Sequence, residues 1–171
     1  MLGREYAAQD CSIAGALEVI GERWTLLIVR DAMYGVRRFT DFQAHLDVPK
    51  AVLSNRLAGL LKNGILERRP DPEHHGRHLY ELTDAGRELW PVLHALLVWG
   101  GHHRRTNSRV FKHASCSTQL SDDASCPTCK LTPGLEQIIT EPKRGRRRLR
   151  DDPVAVALRG PHRMLEPVNI S

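Results

Sequence analysis

The stretch from Phe39 to Thr83, FTDFQAHLDVPKAVLSNRLAGLLKNGILERRPDPEHHGRHLYELT, decides the fold. Thr40, followed three residues later by Gln43, matches a capping box, in which the threonine oxygen accepts a first-turn amide and the glutamine side chain reaches back. The spacing predicts a short helix that buries Phe42 and Leu46, one turn apart, and ends before Asp47-Val48-Pro49. Proline biases the residue before it away from helical dihedrals and pre-sets the first turn of a new helix. Two helices joined by so short a turn have the helix-turn-helix spacing.

The second helix, about 49–63, places Leu53, Leu57, Leu60 and Leu61 on one face at the helical period. Ala51, Ser54, Asn55, Ala58, Gly59 and Lys62 lie outside, with Lys50 and Arg56 on the flanks. Small outward residues let a helix backbone enter the major groove of DNA, where Asn pairs with adenine, Ser with either base edge, and Lys or Arg with guanine or phosphate. A small-residue face also suits packing against another helix, and the segment that follows tips the balance. Asn63-Gly64 supplies a helix stop, because both residues tolerate the left-handed conformation. Ile65 to Arg69 and His78 to Leu82 read as a strand pair around the turn-rich segment Pro70 to Arg77. This is a wing, and Arg68, Arg69, His75 and Arg77 suit it for phosphate contact, diluted by Asp71 and Glu73.

The chain here resembles the HxlR-type family of bacterial winged-helix transcriptional regulators, from Cys11 to about His103. The likeness is carried by Cys11-Ser12-Ile13, Gly21-Glu22-Arg23-Trp24, Arg38-Phe39-Thr40-Asp41-Phe42, Leu53-Ser54-Asn55-Arg56-Leu57, Gly64-Ile65-Leu66, Tyr80-Glu81-Leu82-Thr83, Gly86 and Trp99-Gly100. The ordered set is specific, although no single piece is. The resemblance implies a homodimer that binds a near-palindromic operator duplex and often answers to a reactive or oxidising small-molecule effector. It also implies a sensing role for Cys11, which serves some family members at the matching position. From the residues alone, Cys11 sits at or just before a helix start, which lowers a thiol pKa. A cysteine is also often merely a small buried hydrophobe.

The 171 residues suit one domain with extensions, and a hydrophobic content of 41% supports a small core. The longest apolar run, around Leu26 to Val29, is far below a membrane-spanning length, and the N-terminus lacks the pattern of an export signal. Four cysteines without such a signal point to the cytoplasm and free thiols. The net charge of +5 is uneven: residues 1–105 hold 14 Lys/Arg against 13 Asp/Glu, and residues 106–171 hold 11 against 7. The DNA-binding reading therefore rests on local geometry, and the basicity belongs to the tail.

Ile13, Leu17 and Ile20 share one side of a first helix, and Trp24 to Met33 is apolar nearly all round, with Trp24 expected as a core anchor. Thr83 is placed to cap a long final helix from Asp84 to about Arg105, with Asp84 and the cluster His102 to Arg105 matching the helix dipole at its two ends. The His102-His103 pair reads as solvated rather than metal-binding. Leu89, Val92, Leu93, Leu96, Leu97 and Trp99 exceed what a surface helix needs. The first and last helices are therefore expected to form a dimer seam, setting two recognition helices about 34 Å apart.

From Thr106 onward little regular structure is expected. One constellation stands out there. His113-x2-Cys116 and Cys126-x2-Cys129 supply four ligands in two close pairs, the pattern of a structural tetrahedral zinc site. The rivals are a Cys126/Cys129 dithiol that oxidises and thiols without a role. Lys143 to Arg150, KRGRRRLR, puts six cations in eight residues and suits non-specific phosphate contact.

The sequence thus predicts a mainly α protein with a small β-wing. Residues 1–105 form a winged helix-turn-helix that dimerises through its terminal helices, and 106–171 form a loosely ordered basic extension with a zinc-binding segment at 113–129. Its function reads as a cytoplasmic, homodimeric, sequence-specific DNA-binding regulator acting as a repressor. DNA contacts fall to Lys50, Ala51, Ser54, Asn55, Arg56, Arg68, His75 and Arg77, redox sensing to Cys11, and metal binding to His113, Cys116, Cys126 and Cys129. Two alternatives remain: a zinc-containing protein-interaction module, and an enzyme. No catalytic triad or nucleotide-binding motif supports the latter.

Overall fold

The structure, a computed structural model, describes residues 6, 10–104, 109–143 and 150–170. Helices α1 (Ser12–Ile20) and α2 (Thr25–Met33) precede the helix-turn-helix pair α3 (Phe39–Leu46) and α4 (Lys50–Lys62). Ile28, Val29, Phe42, Leu53, Leu57 and Leu60 are almost wholly buried and form the centre of the core. Leu61 is only partly covered. Trp24 is likewise partly buried, stands at the N-cap of α2 with φ of 80°, and carries the Arg23 guanidinium 5.2 Å above its ring.

The predicted capping box does not form. Helix α3 begins at Phe39, its N-cap Arg38 gives no side-chain cap, and the Thr40 hydroxyl donates to Asp41 at 3.1 Å. Two neighbours account for the earlier start: Phe39 packs against the core, and Arg38 is held by Asp71 and Glu73. Asp47 then ends α3 in the left-handed region, with φ of 52°. Pro49 is the N-cap of α4, and Gly64 makes the exit turn with φ of +66°, while Asn63 stays at negative φ.

Strands β1 (Leu66–Pro70) and β2 (His78–Leu82) pair antiparallel, with Leu66 opposite Leu82 and Arg68 opposite Tyr80. Leu66, Tyr80 and Leu82 face the core. Asp71, expected to dilute the wing's surface charge, is instead 5% exposed and anchors the turn. Its carboxylate accepts from the Glu73 amide at 2.9 Å and from Arg38 at 3.2 Å, while its own amide donates to Arg77 O.

The final helix is divided. Thr83 caps α5 (Asp84–Arg87) as expected, accepting from the Gly86 amide at 3.1 Å, but a separate α6 spans Trp90–Arg104. Pro91 gives the reason: in a continuous helix it would lack the amide for Arg87 O and its ring would crowd that carbonyl. The chain therefore restarts with proline in the first turn, where no amide is required. Arg105, the expected end of the helix, lies outside the described residues, as do residues 144–149 of the basic run.

The extension departs from the expectation of little regular structure. Strands β3 (Arg109–His113), β4 (Ile138–Pro142) and β5 (His162–Arg163) form an antiparallel sheet in the order β3-β4-β5, accompanied by α7 (Pro153–Ala157). Phe111, Leu120, Leu135, Ile138, Val154, Leu158 and Met164 are buried and belong to the same core as the helices. They are spaced too thinly along the chain to give a periodic signal, which is why the composition alone reads as a loose tail. The sheet is fastened to the end of α2: the Leu165 amide donates to Met33 O at 2.9 Å and the Val168 amide to Gly35 O at 3.2 Å. Among the described residues no helix is long and apolar enough to cross a membrane.

Candidate nucleic-acid interface

Helix α4 turns its leucines inward and leaves Lys50, Ala51, Ser54, Asn55 and Ala58 exposed. A helix bearing short side chains on its open face can bring its backbone close to base edges, with Ser54 and Asn55 as hydrogen-bonding groups and Lys50 as a cation. Arg56 departs from the expected free flank position. Its Nη2 donates to Glu22 at 2.8 Å and its Nε to Arg23 O at 3.2 Å, so it fastens α4 to the segment between α1 and α2. This pairing has no signature in the sequence, because the partners lie more than thirty positions away and neither belongs to a periodic pattern.

On the wing, His75 and Arg77 are exposed, and among the described residues Arg77 enters no ion pair. Arg68 is exposed and lies over Tyr80, 5.6 Å from the ring centroid. Arg69 is held between Glu67 and Glu81. Between the start of α3 and the wing lies an open cleft of about 270 Å³ lined by Arg38, Thr40, Arg68, Asp71, Arg77 and Tyr80. Arg38 is paired with Asp71 and Glu73, so Arg68 and Arg77, which enter no ion pair among the described residues, are the cations this cleft offers to an anionic backbone. Arg38 has no place among the DNA contacts that the sequence suggests, because its role depends on a wing residue 33 positions later.

The terminal helices carry uncovered apolar side chains. Ile13 and Leu17 of α1 and Val92, Leu96 and Trp99 of α6 are all exposed, Trp99 at 58%. Leu93 is buried and Leu97 packs on the core, so the open stripe is narrower than the sequence suggests. Cys11 is exposed at the N-cap of α1 without a side-chain cap bond, and the nearby Ala14 and Ile13 amides hold its thiol below the usual cysteine range.

The structure brings His113, Cys116, Cys126 and Cys129 together, with one ligating atom from each lying within 4.8 Å of the others. All four cysteines of the chain are free thiols. Hydrogen bonds from Thr118, first through its side chain and then its amide, lower the Cys116 thiol to about 6, and the neighbouring thiols push Cys129 up to about 11. Two further groups have no sequence signal. His94 of α6 is buried beside Trp90 and Phe111, at 5.2 and 6.0 Å between ring centroids, and burial depresses its pKa despite Asp122. Asp31 of α2 is fully buried, paired with Arg30 at 2.7 Å.

A helix-turn-helix whose second helix exposes a small polar face, followed by a two-stranded wing with Arg68 and Arg77 exposed, defines a winged-helix DNA-binding protein. The HxlR-like helix-turn-helix family model matches residues 19–108, and the chain belongs to that family of DNA-binding transcriptional regulators. The uncharacterised HTH-type transcriptional regulator Rv3095 of Mycobacterium tuberculosis is 37% identical over 140 residues, covering 78% of this chain and 87% of the relative. A match of that extent reaches beyond the winged helix into the extension. YvaP of Bacillus subtilis, also an uncharacterised HTH-type transcriptional regulator, is 36% identical over 85 residues, 49% of this chain and 79% of that protein. Among solved structures, the transcription-factor candidate PA1607 aligns with a TM-score of 0.53 at 41% identity, over 55% of this chain and 66% of that one. The redox regulator HypR in its reduced form aligns with a TM-score of 0.51 at 26% identity, over 55% of this chain and 94% of that one.

Proposed function

We propose that this regulator acts in the cytoplasm as a homodimeric repressor of a near-palindromic operator, with residues 1–105 as the DNA-binding and dimerisation unit. The observation that carries the reading is the open face of α4, where Ala51, Ser54 and Asn55 are exposed beside Lys50 while every buried position is leucine. In this reading Ser54 and Asn55 read base edges, while Lys50, His75, Arg77 and Arg68 contact phosphates on either side. Arg56 acts through its hold on Glu22 and Arg23, orienting α4. Ile13, Leu17, Leu96 and Trp99 supply the dimer seam.

Occupancy is switched by oxidation or alkylation of Cys11, a small-molecule signal read next to that seam. Two observations favour this: the exposed Cys11 thiol has its pKa lowered at a helix start, and the structurally similar HypR is a redox regulator. Selection of duplexes from a random pool, with and without a mild oxidant, tests both parts. An inverted-repeat consensus bound by the reduced protein and released on oxidation, with release abolished in Cys11→Ser, is the expected result. Enrichment of no consensus rejects the operator reading, and equal release of the wild type and Cys11→Ser rejects the sensor.

A further inference from the structure

The loop from Ala114 to Gly134 spans 21 positions without helix or strand, and only Leu120, Ala124, Cys126 and Pro133 are buried within it. Structureless loops of that length are uncommon in compact domains. Four scattered buried residues do not offset the conformational entropy of ordering such a segment. Something other than a core must hold it.

Two turns at this loop are built alike. In the first, the His113 amide donates to Thr118 O at 2.9 Å, the Ser117 amide donates to His113 O at 2.8 Å, and Ser117 takes φ of 58°. In the second, the Cys126 amide donates to Leu131 O at 2.8 Å, the Lys130 amide donates to Cys126 O at 2.8 Å, and Lys130 takes φ of 53°. Each turn therefore presents its first and fourth residues, His113 with Cys116 and Cys126 with Cys129, on its inner side. Left-handed backbone at serine and lysine carries a steric cost, repeated here at the same place behind two ligand pairs. The Cys129 amide also points at Cys126 Sγ, 3.4 Å away, as an amide does toward a sulfur bearing negative charge.

The two turns meet at the side chains. Cys116 Sγ is 3.4 Å from Cys126 Sγ and 3.5 Å from His113 Nδ1. Bond lengths of about 2.3 Å to sulfur and 2.0–2.1 Å to nitrogen make the edges of a tetrahedral zinc shell roughly 3.5–3.8 Å, so these two edges are close to ligating separation, and all four ligand atoms lie within 4.8 Å of one another. The geometry points to a structural zinc ion held by His113, Cys116, Cys126 and Cys129, which staples the Ala114 to Gly134 loop and closes the β3-β4-β5 sheet. On binding, the dication displaces the remaining thiol protons to solvent and leaves three thiolates and one neutral imidazole, a shell of net charge −1. All four positions are protein ligands, so the site has no open place for a substrate and its role is to hold the fold. Zinc suits this donor set, because thiolate and imidazole in a tetrahedron favour it and it brings no redox chemistry of its own. His113 and Cys126 are buried, while Cys129 is exposed, leaving one side through which the ion and chelators enter.

The cluster lies in the extension and is remote in sequence from α4, so metal removal is read in the extension first. The test uses the full chain purified without chelator. About one zinc per chain is expected, with cobalt(II) giving the intense visible bands of a tetrahedral thiolate site. Chelation should speed amide exchange over residues 109–143 at least tenfold, leave α4 and the wing protected, and expose three further thiols to a thiol reagent. Cys129→Ser, at the exposed ligand, should keep the winged-helix fold and lose the metal on mild chelation. Less than about half an equivalent of zinc, iron in its place, a Cys126–Cys129 disulfide in the resting protein, or thiol reactivity unchanged by chelator would each overturn the proposal.

Discussion

His45 Nδ1 lies 2.9 Å from Asp152 Oδ1, joining the first helix of the helix-turn-helix pair to α7 of the extension across 107 positions of sequence. The other ring nitrogen of His45 is 3.8 Å from the fully buried Asp31 of α2. Arg150 adds a second tie on the same side, donating to Ala44 O at 3.0 Å and to Asp152 at 2.9 Å. The extension is thus fastened directly to the DNA-binding unit, and a change in one can be felt as strain in the other.

Asp152 also caps α7 by accepting from the Ala155 amide at 3.0 Å. Asp152→Ala should therefore cost at least about 1 kcal/mol through removal of the cap, with the melting midpoint falling and amide exchange rising first in α7. Burial opposes ionisation of Asp152, but the Ala155 amide, His45 and Arg150 outweigh it and hold its pKa below the usual carboxylate range. Its contribution to stability is therefore complete above the unfolded value of about 3.9 and disappears as pH falls through the lower folded value. Asp152→Asn, which can still cap, should flatten the decline in stability below about pH 4. An unchanged acid slope in that variant would show that Asp152 carries no depressed pKa into the folded state.

Bulky replacements at Ser54 or Asn55 should weaken specific DNA binding by roughly 1–3 kcal/mol per base-edge hydrogen-bonding pair removed, and non-specific binding much less. Replacing Arg77, whose guanidinium enters no ion pair among the described residues, should weaken both alike and reduce the salt slope by about one. Titrations against the selected duplex and a scrambled one, over a range of salt, separate the two roles. Equal weakening on both duplexes from all three changes would reject the assignment.

Trp99 and Leu96, exposed at 58% and 48%, are the positions at which charge should break the proposed dimer. Leu96→Glu with Trp99→Glu is expected to sediment as a monomer with its helical content intact, and to give up operator binding because one half-site alone holds the protein weakly. Leu97→Glu should instead unfold the domain, since that side chain packs on the core. A wild-type monomer at micromolar concentration that still holds its operator tightly would contradict the seam.

Gly35 adopts φ of +85°, and a Cβ there would lie 1.7 Å from Glu166 O. Gly76, at the wing turn, has nearly the same φ, +80°, with nothing within 4 Å of an added Cβ. Gly76→Ala should cost only the left-handed backbone penalty, about 1–2 kcal/mol. Gly35→Ala should cost clearly more, and should free residues 165–168 from the end of α2. Comparable melting shifts for the two variants would mean that the extension yields here without penalty.

The winged helix is legible in the sequence because its determinants are local. The leucine period of α4, the Val48-Pro49 junction, the Gly64 stop and the alternation of Tyr80 and Leu82 each act over a few residues, and each appears where the sequence places it. The His and Cys pairs are legible for the same reason, since a two-residue gap is a local constraint, and the sequence's grouping of the two pairs at one site is met in the structure, where the four ligand atoms lie within 4.8 Å of one another. What only the tertiary structure decided are the partnerships of isolated charged and polar residues: Arg56 with Glu22, Arg38 with Asp71, His45 with Asp152, and the Leu165 amide with Met33 O. A single ion pair or backbone bond between segments 33 to 132 positions apart leaves no period and no composition bias. The ordered extension is invisible in the sequence on the same ground, because its apolar residues are sparse along the chain and form a core only once the three strands and the end of α2 have been brought against them.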